Sequence, residues 1–150
     1  MPHSFSKIVV HYIFSTKNRE KWISQEIQER LWKYMGGIAR KLDIVPYSIG
    51  GVEDHVHMLV LLPRTITISE AIQKIKGNAS RWLHENYPGL RKFSWQNGYG
   101  AFSVSYSRIE DVRRYIENQH EHHRRKSFKE EFIEFLQKHE IEYDEKEIWG

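Results

Sequence analysis

Two short patterns in the sequence place side chains where they could hold an ion or act on a phosphate. His55 and His57 are separated by Val56 and lie at the start of an apolar stretch that ends at Pro63. Such a stretch predicts a short buried strand, on which alternate side chains point to the same face. The two imidazoles are therefore expected to converge on a single metal ion or on one substrate phosphate.

The second pattern is Tyr115 with Gln119, four residues later and one turn along a predicted helix. A phenol with an ordinary pKa of about 10 is a poor nucleophile at neutral pH. It can attack a phosphodiester when a divalent cation polarises a non-bridging oxygen and positions the phosphorus. The histidine pair and the side-chain carbonyl of Gln119 predict a nitrogen–oxygen site of the kind that suits Mg²⁺ or Mn²⁺.

Taken singly, each of these residues also has an ordinary structural interpretation. His55 and His57 could be half-buried histidines with satisfied hydrogen bonds, and Tyr115 could pack its ring at the edge of the core. The basic cluster after Gln119 could be a solvated helix end that complements the helix dipole. Only the combination points to chemistry.

Composition narrows the class of protein. The 150 residues suit one domain with a real core, and 39% hydrophobic and 29% charged residues are typical of a soluble globular protein. There is no cysteine, which excludes disulfides, thiolate metal sites and a cysteine nucleophile. Neither a membrane-spanning segment nor a secretory signal is recognisable, so we expect no membrane association and a cytoplasmic location.

Charge is distributed unevenly along the chain. Residues 127–150 contain three Lys and eight Asp or Glu, a net charge of −5, whereas residues 1–126 carry a net charge of +8. A basic body favours a polyanionic partner, nucleic acid being the usual one, although a basic protein without such a partner shows the same balance.

Periodicity predicts alternating strands and helices. The predicted elements are strand 6–14, helix 24–42, strand 44–49, strand 55–62, helix 70–87, strand 101–105, helix 109–123 and a last helix from 128. Gly50-Gly51 is predicted to turn the chain between the two middle strands, and Pro46 indicates a sheet edge or bulge. Capping-box pairs are expected at Ser107 with Glu110 and at Ser127 with Glu130.

This βαββαβ order predicts an α+β, ferredoxin-like fold, with one antiparallel sheet, helices on one face and additional C-terminal helices. The glycines at 36 and 37 lie inside the first helix, where they weaken it but would permit another backbone to approach closely. The fold alone does not specify function, because many activities share it.

Four segments carry a resemblance to a known family. They are Glu53-Asp54-His55-Val56-His57, Lys74-Ile75-Lys76-Gly77-Asn78-Ala79-Ser80, Trp95-Gln96-Asn97-Gly98-Tyr99-Gly100-Ala101-Phe102-Ser103-Val104-Ser105 and Tyr115-Ile116-Glu117-Asn118-Gln119-His120. As an ordered set, they resemble the single-tyrosine HUH transposases of small bacterial insertion sequences, including the REP-associated tyrosine transposases. The resemblance covers nearly the whole chain.

The resemblance implies a metal-dependent transposase that cleaves and rejoins single-stranded DNA at hairpin-marked ends. Tyr115 would form the 5′-phosphotyrosine intermediate, and His55, His57 and Gln119 would bind Mg²⁺ or Mn²⁺. A 3′-hydroxyl would then reverse the attack without ATP. The resemblance also implies a homodimer with active sites shared between subunits. Chain length and the charge distribution predict one domain, with a catalytic core over residues 1–126 and an acidic helix and tail over 127–150.

Several basic and aromatic residues are candidates for DNA contacts. Cations on the second and third helices would contact phosphates, and two aromatic residues would stack on unpaired bases. The candidates are Lys74, Lys76, Arg81, Trp95, Tyr99, Arg113, Arg114, Arg124 and Arg125. For any one of them, a solvated charge or a packed ring is an equally good interpretation.

Two other functions are compatible with the same fold. One is a non-catalytic protein that binds single-stranded DNA or RNA hairpins, including a domesticated family member that no longer cuts. The other is a metal-dependent hydrolase that uses water, with Tyr115 only structural. A covalent protein–DNA adduct distinguishes the transposase from both.

Overall fold

The computed structural model describes residues 3–149. One antiparallel sheet contains four strands in the order β2-β3-β1-β4, which is the order expected of the ferredoxin-like arrangement. The strands are β1 Ile8–Ser15, β2 Val45–Val52, β3 His55–Leu62 and β4 Gly100–Val104. The helices are α1 Gln25–Lys41, α2 Ile68–Asn86, α3 Ile109–Glu117, α4 Gln119–His122, α5 Phe128–Lys138 and α6 Glu145–Ile148. The α+β, ferredoxin-like prediction is confirmed.

The first face of the sheet is apolar and lies beneath α1 and α2. Alternate residues of the two central strands, Tyr12 and Phe14 on β1 and Val56 and Met58 on β3, are buried there. The apolar stripes of both helices pack onto these side chains, as the three- and four-residue spacing predicts. Thr67 caps α2 by accepting a hydrogen bond from the backbone N–H of Glu70.

The C-terminal helices cover the opposite face. Ile109 and Ile116 of α3 pack against Leu59 of β3, and Phe128 and Leu136 of α5 form a cluster with residues of β1 and β4. The N-cap half of the predicted capping box of α5 is present, because the Ser127 hydroxyl accepts from the N–H of Glu130. The Glu130 carboxylate accepts from that hydroxyl, instead of from the backbone N–H of Ser127 as in a full capping box. The histidine face of β3 is therefore enclosed by residues from the last third of the chain.

β2 is an edge strand, and its register shifts between Pro46 and Ser48, which confirms the prediction of an edge or bulge. The predicted turn at Gly50-Gly51 is wrong, because β2 continues through both glycines and the chain turns at Glu53-Asp54. The glycines serve close packing instead. A Cβ at position 51 would overlap the carbonyl of His55, and one at position 50 would lie 3.0 Å from Ile116.

The predicted continuous helix over 109–123 is also wrong. α3 ends at Glu117, Asn118 has non-helical backbone angles, and a separate short helix, α4, begins at Gln119. Its expected capping box fails as well, because Ser107 lies in a 3₁₀ turn and Arg108 occupies the N-cap position without a side-chain hydrogen bond. The break lets the chain turn back over the sheet towards α5.

Within residues 3–149 of this chain, no other backbone segment approaches the glycines of α1 closely. A Cβ at Gly37 would meet no atom within 4 Å, and one at Gly36 would make only ordinary contacts with the side chains of Arg40 and Ile49. Within residues 3–149, no helix is long and apolar enough to cross a membrane.

Candidate active site

The two histidines lie side by side on one face of β3. His57 pairs with Ile13 of β1 and with Gly50 of β2, so it occupies the middle of the sheet. Both imidazoles are fully buried, and their ring centroids are 5.1 Å apart. Strand alternation therefore brings His55 and His57 together as the sequence predicts.

A carboxylate from α5 completes this cluster. Oε1 of Glu131 lies 3.0 Å from Nε2 of His57 and 3.4 Å from Nε2 of His55, and the residue is only 1% exposed. Adjacent ligands of an octahedral ion, each about 2.1 Å from it, are about 3 Å apart. His55, His57 and Glu131 therefore have the geometry and the nitrogen–oxygen chemistry to hold a divalent metal ion.

Gln119 and Tyr115 converge on the same carboxylate. Oε1 of Gln119 accepts a hydrogen bond from Nε2 of His55 at 3.0 Å, and its Nε2 donates to Oε2 of Glu131 at 3.2 Å. The hydroxyl of Tyr115 donates to that same oxygen of Glu131. The tyrosine ring lies 5.8 Å from the ring of His57, so one chain brings its own phenol to its own histidines.

Each histidine is oriented by a second partner. Nδ1 of His55 donates to the carboxylate of Asp54 at 2.7 Å. Nδ1 of His57 lies 2.8 Å from Nε2 of His11, a residue of β1 that is only 2% exposed. A neutral His57 has one ring proton: when Nε2 donates to Glu131, Nδ1 accepts from His11. With an ion on Nε2, the proton would lie on Nδ1 and would be donated to His11. Such partners fix the tautomer and ring orientation of metal-binding histidines.

The surroundings of the two histidines shift their pKa values in opposite directions. Burial alone lowers the pKa of His55, but its hydrogen bonds to Asp54 and Glu131 outweigh burial and raise the pKa to about 9. Burial lowers the pKa of His57 to about 4 despite its contact with Glu131. Burial likewise holds the pKa of His11 well below its usual value, so His11 is neutral.

The oxygen groups of the site are shifted as well. Burial would raise the pKa of Glu131, but hydrogen bonds from His123, His55 and His57 lower it well below its usual range, so the group is a carboxylate. Burial, and then the neighbouring charge of Glu131, raise the pKa of the Tyr115 phenol well above its usual value. Tyr115 is thus a neutral hydrogen-bond donor in this arrangement.

Two residues of the cluster, Glu131 and His11, were not predicted as site residues from the sequence. Glu131 lies on the same stripe as Phe128 and Phe135, so an acidic residue on the apolar face of α5 was an available signal. His11 interrupts an otherwise apolar strand, which was a second signal. Their contacts with His57 span 74 positions for Glu131 and 46 for His11, so no local sequence pattern connects either residue with His57.

Some of the candidate DNA contacts have structural partners. Lys76 donates from Nζ to the carbonyls of Gln96 and Gly98, and the indole N–H of Trp95 donates to the carbonyl of Lys76. The Trp95 ring also packs edge-on against Phe14. Lys76 and Trp95 therefore hold the 96–98 loop against α2, whereas Tyr99 remains 38% exposed.

The other candidate cations lie on helix surfaces or just beyond α4. Lys74, Arg113, Arg114 and Arg124 form ion pairs with acidic residues three or four positions away, and Arg81 contacts the Asn78 amide. Pairs of this kind are easily exchanged for phosphates, because exposed ion pairs contribute only about 0–1 kcal/mol. Arg125 is exposed and forms no ion pair with the part of the chain that the structure describes.

Together, the ferredoxin-like sheet and the buried cluster of His55, His57 and Glu131 form a site that could hold a metal ion beside the phenol of Tyr115. The family model for IS200-like transposases matches residues 4–119. The chain belongs to the IS200-like transposase family, whose members act in DNA transposition.

Known relatives agree with this assignment. The chain is 25% identical over 116 residues to the ISDra2 transposase TnpA of Deinococcus radiodurans. This match covers 74% of this chain and 83% of the relative. A crystal structure of a candidate transposase from D. radiodurans matches with a TM-score of 0.65 and 24% identity, over 77% of this chain and 93% of the other.

A further structural match is a REP-associated tyrosine transposase bound to a REP hairpin. It has a TM-score of 0.60 and 15% identity, and it covers 81% of this chain and 72% of that one. Because both identities are below 25%, these two structural matches support the fold alone.

Proposed function

We propose that this chain is a metal-dependent transposase that cleaves and rejoins single-stranded DNA through a 5′-phosphotyrosine intermediate. The observation that carries the proposal is the convergence of Tyr115, His55, His57 and Gln119 on the carboxylate of Glu131. A phenol beside a buried nitrogen–oxygen cluster matches the needs of phosphodiester attack more closely than those of binding alone.

His55 and His57 would hold a divalent ion, Mg²⁺ or Mn²⁺, with oxygen ligands from Glu131 and Gln119. The bound ion would supply charge neutralisation at the scissile phosphate and would orient it. Glu131 would contribute one carboxylate oxygen to the ion site and would use the other to hold the phenol of Tyr115. Asp54 and His11 would keep the two imidazoles in the orientation that presents Nε2.

In the cleavage step, the Tyr115 oxygen would lose its proton and bond to phosphorus. The bond from phosphorus to the 3′ oxygen would break, and that oxygen would gain a proton. One phosphodiester would be exchanged for another, so the free energy of the bond would be retained for rejoining by a 3′-hydroxyl. The water-using hydrolase would store no such bond.

The proposed substrate is a single strand marked by a hairpin. Support comes from the structurally similar REP-associated transposase, which is bound to a REP hairpin. We retain the homodimer as a proposal, but the contact of Tyr115 with Glu131 of the same chain favours attack within one subunit. Although its sequence is acidic, α5 would belong with the catalytic core of residues 1–126, because it supplies Glu131.

The test is formation of a covalent adduct. Wild type and Tyr115→Phe would be incubated with a labelled single-stranded hairpin library and Mn²⁺ or Mg²⁺, then separated on a denaturing protein gel. We expect a denaturant-stable labelled band that requires both the metal and Tyr115, because only a covalent bond survives denaturation. Tyr106→Phe, at an exposed tyrosine outside the site, is the matched control and should form the adduct normally.

Other results would point to the alternatives. Cleavage that persists in Tyr115→Phe would identify a hydrolase that uses water. If the protein binds the hairpin but forms no adduct and cleaves nothing, with Mg²⁺ or with Mn²⁺, the result would favour a domesticated binding protein.

A further inference from the structure

A cavity of about 690 Å³ opens beside the Tyr115 ring. It lies between α3 and α5, and the segment that joins α4 to α5 closes one side. Val112, His122 and Phe135 are among the residues that line it. Cavities of roughly 300–1,000 Å³ accommodate small organic ligands, so this one is large enough for a nucleotide.

Aromatic rings form one wall of this cavity. The Tyr115 and His122 rings lie 4.5 Å apart between centroids and are tilted by only 30°. The Phe135 ring stands nearly perpendicular to the Tyr115 ring at 5.8 Å. A flat heterocycle can stack on such a wall, and stacking of an unpaired base on an aromatic side chain stabilises binding by about 1–3 kcal/mol.

The acidic and basic residues that line the cavity differ in whether they have ion-pair partners. Each of its acidic residues has a basic partner that balances its charge: Asp111 pairs with Arg108, Glu121 with Arg124, and Glu134 with Lys126. Two cations that also line the cavity, Arg125 and Lys138, are exposed. Neither forms an ion pair with any residue between 3 and 149. These two cations are therefore available to an anionic ligand.

We propose that this cavity binds one unpaired nucleotide of the DNA substrate, the one next to the scissile phosphate. Its base packs against the rings of His122 and Phe135, and a neighbouring phosphate contacts Arg125 and Lys138. A base within a duplex cannot enter, so the cavity selects single-stranded DNA immediately beside the nucleophile. The inference rests on the proposed function, since that function supplies the class of substrate.

The experiment measures binding rather than cleavage. Fluorescein-labelled (dT)12 and a strand of equal length without bases would be titrated with the full chain, without added metal, and followed by fluorescence anisotropy. We expect wild type to bind (dT)12 more tightly, because only that strand can place a base in the cavity. Equal affinity for the two strands would overturn the proposal.

Two kinds of variant distinguish the contribution of the base to binding affinity from that of the phosphate. Val112→Trp fills the cavity and should lower the affinity for (dT)12 to that for the base-free strand, with no change in salt dependence. Arg125→Ala and Lys138→Ala should each weaken binding about 3–10-fold and reduce the slope of log K against log salt by about 0.7, the value for one phosphate contact. Circular dichroism melting checks that each variant is folded.

Lys92→Ala is the matched control, because Lys92 is exposed and adjoins Phe93, which belongs to the apolar face of the sheet. Its effect should stay within twofold. If Arg125→Ala and Lys138→Ala bind like Lys92→Ala, the proposal is overturned, even if Val112→Trp fails to fold. An adduct that forms normally in these variants, with unchanged binding, would reject the cavity while leaving the phosphotyrosine reaction intact.

Discussion

The two faces of the sheet use the same strands in opposite ways. On the face covered by α1 and α2, β1 and β3 contribute Tyr12, Phe14, Val56 and Met58 to a continuous apolar core. On the other face, they contribute His11, His55 and His57 to a buried polar cluster beneath α3, α4 and α5. Because neighbouring side chains on a strand alternate, residues one position apart contribute to the apolar core and to the polar cluster respectively.

This difference indicates that the apolar face stabilises the fold, whereas the polar face adds little net stability. Apolar burial stabilises by roughly 25 cal/mol per Å² of area, whereas buried polar groups require partners merely to offset their desolvation. Every imidazole in the cluster has such a partner. We therefore expect substitutions on the apolar face to act mainly on folding, and those on the polar face to act mainly on the metal.

The largest effect on stability is expected from Met58→Ala. Met58 is fully buried on the apolar face, and truncation of such a side chain costs about 2–5 kcal/mol. Urea denaturation would measure the loss in the free energy of unfolding, and Mn²⁺ affinity should remain close to that of wild type. A tenfold loss of Mn²⁺ affinity in the folded variant would show that the two faces are not independent.

On the polar face, Glu131→Ala should weaken Mn²⁺ binding by about 100-fold, because it removes the charged oxygen next to both histidines. Gln119→Ala should cost about tenfold, since Gln119 offers a neutral oxygen. Electron paramagnetic resonance of free Mn²⁺ measures both affinities. Glu134→Ala, an exposed position on the same helix, is the control. A larger loss in Gln119→Ala would instead support the ligand set predicted from the sequence.

A smaller effect, about 10-fold in Mn²⁺ affinity, is expected from His11→Phe. Phenylalanine keeps the ring but removes the acceptor for Nδ1 of His57, so the imidazole loses its fixed orientation. His11→Gln places an acceptor near the position of Nε2 and should restore much of the affinity. Equal losses in the two variants would indicate that His11 contributes packing alone.

Much of the fold could be predicted from the sequence because its signals are local. Two-residue alternation placed His55 and His57 on one face, and helical periodicity identified the stripes of α1 and α2. The hairpin turn was misplaced because glycine signals turns as well as close packing, and at Gly51 the packing against the His55 carbonyl is the reason for glycine.

The rest of the site could not be predicted because it depends on packing between distant segments. Glu131 meets His57 only after α5 has folded back over the sheet. The break at Asn118 precedes that return of the chain, and no proline or glycine marks it. The roles of Tyr115, His55, His57 and Gln119 were predicted from residue type and spacing together with the resemblance to a family, and they stay predictions until the adduct and metal affinities are measured.

Gly50 lies directly beside His57 in the sheet, and α3 rests on it. A single methyl group there would stand 3.1 Å from the carbonyl oxygen of Ile116, the residue that follows Tyr115. The absence of a side chain at Gly50 therefore lets α3 lie close against the sheet at the turn of helix that carries Tyr115. A larger residue at position 50 would push this part of α3 away from the strand that carries His57.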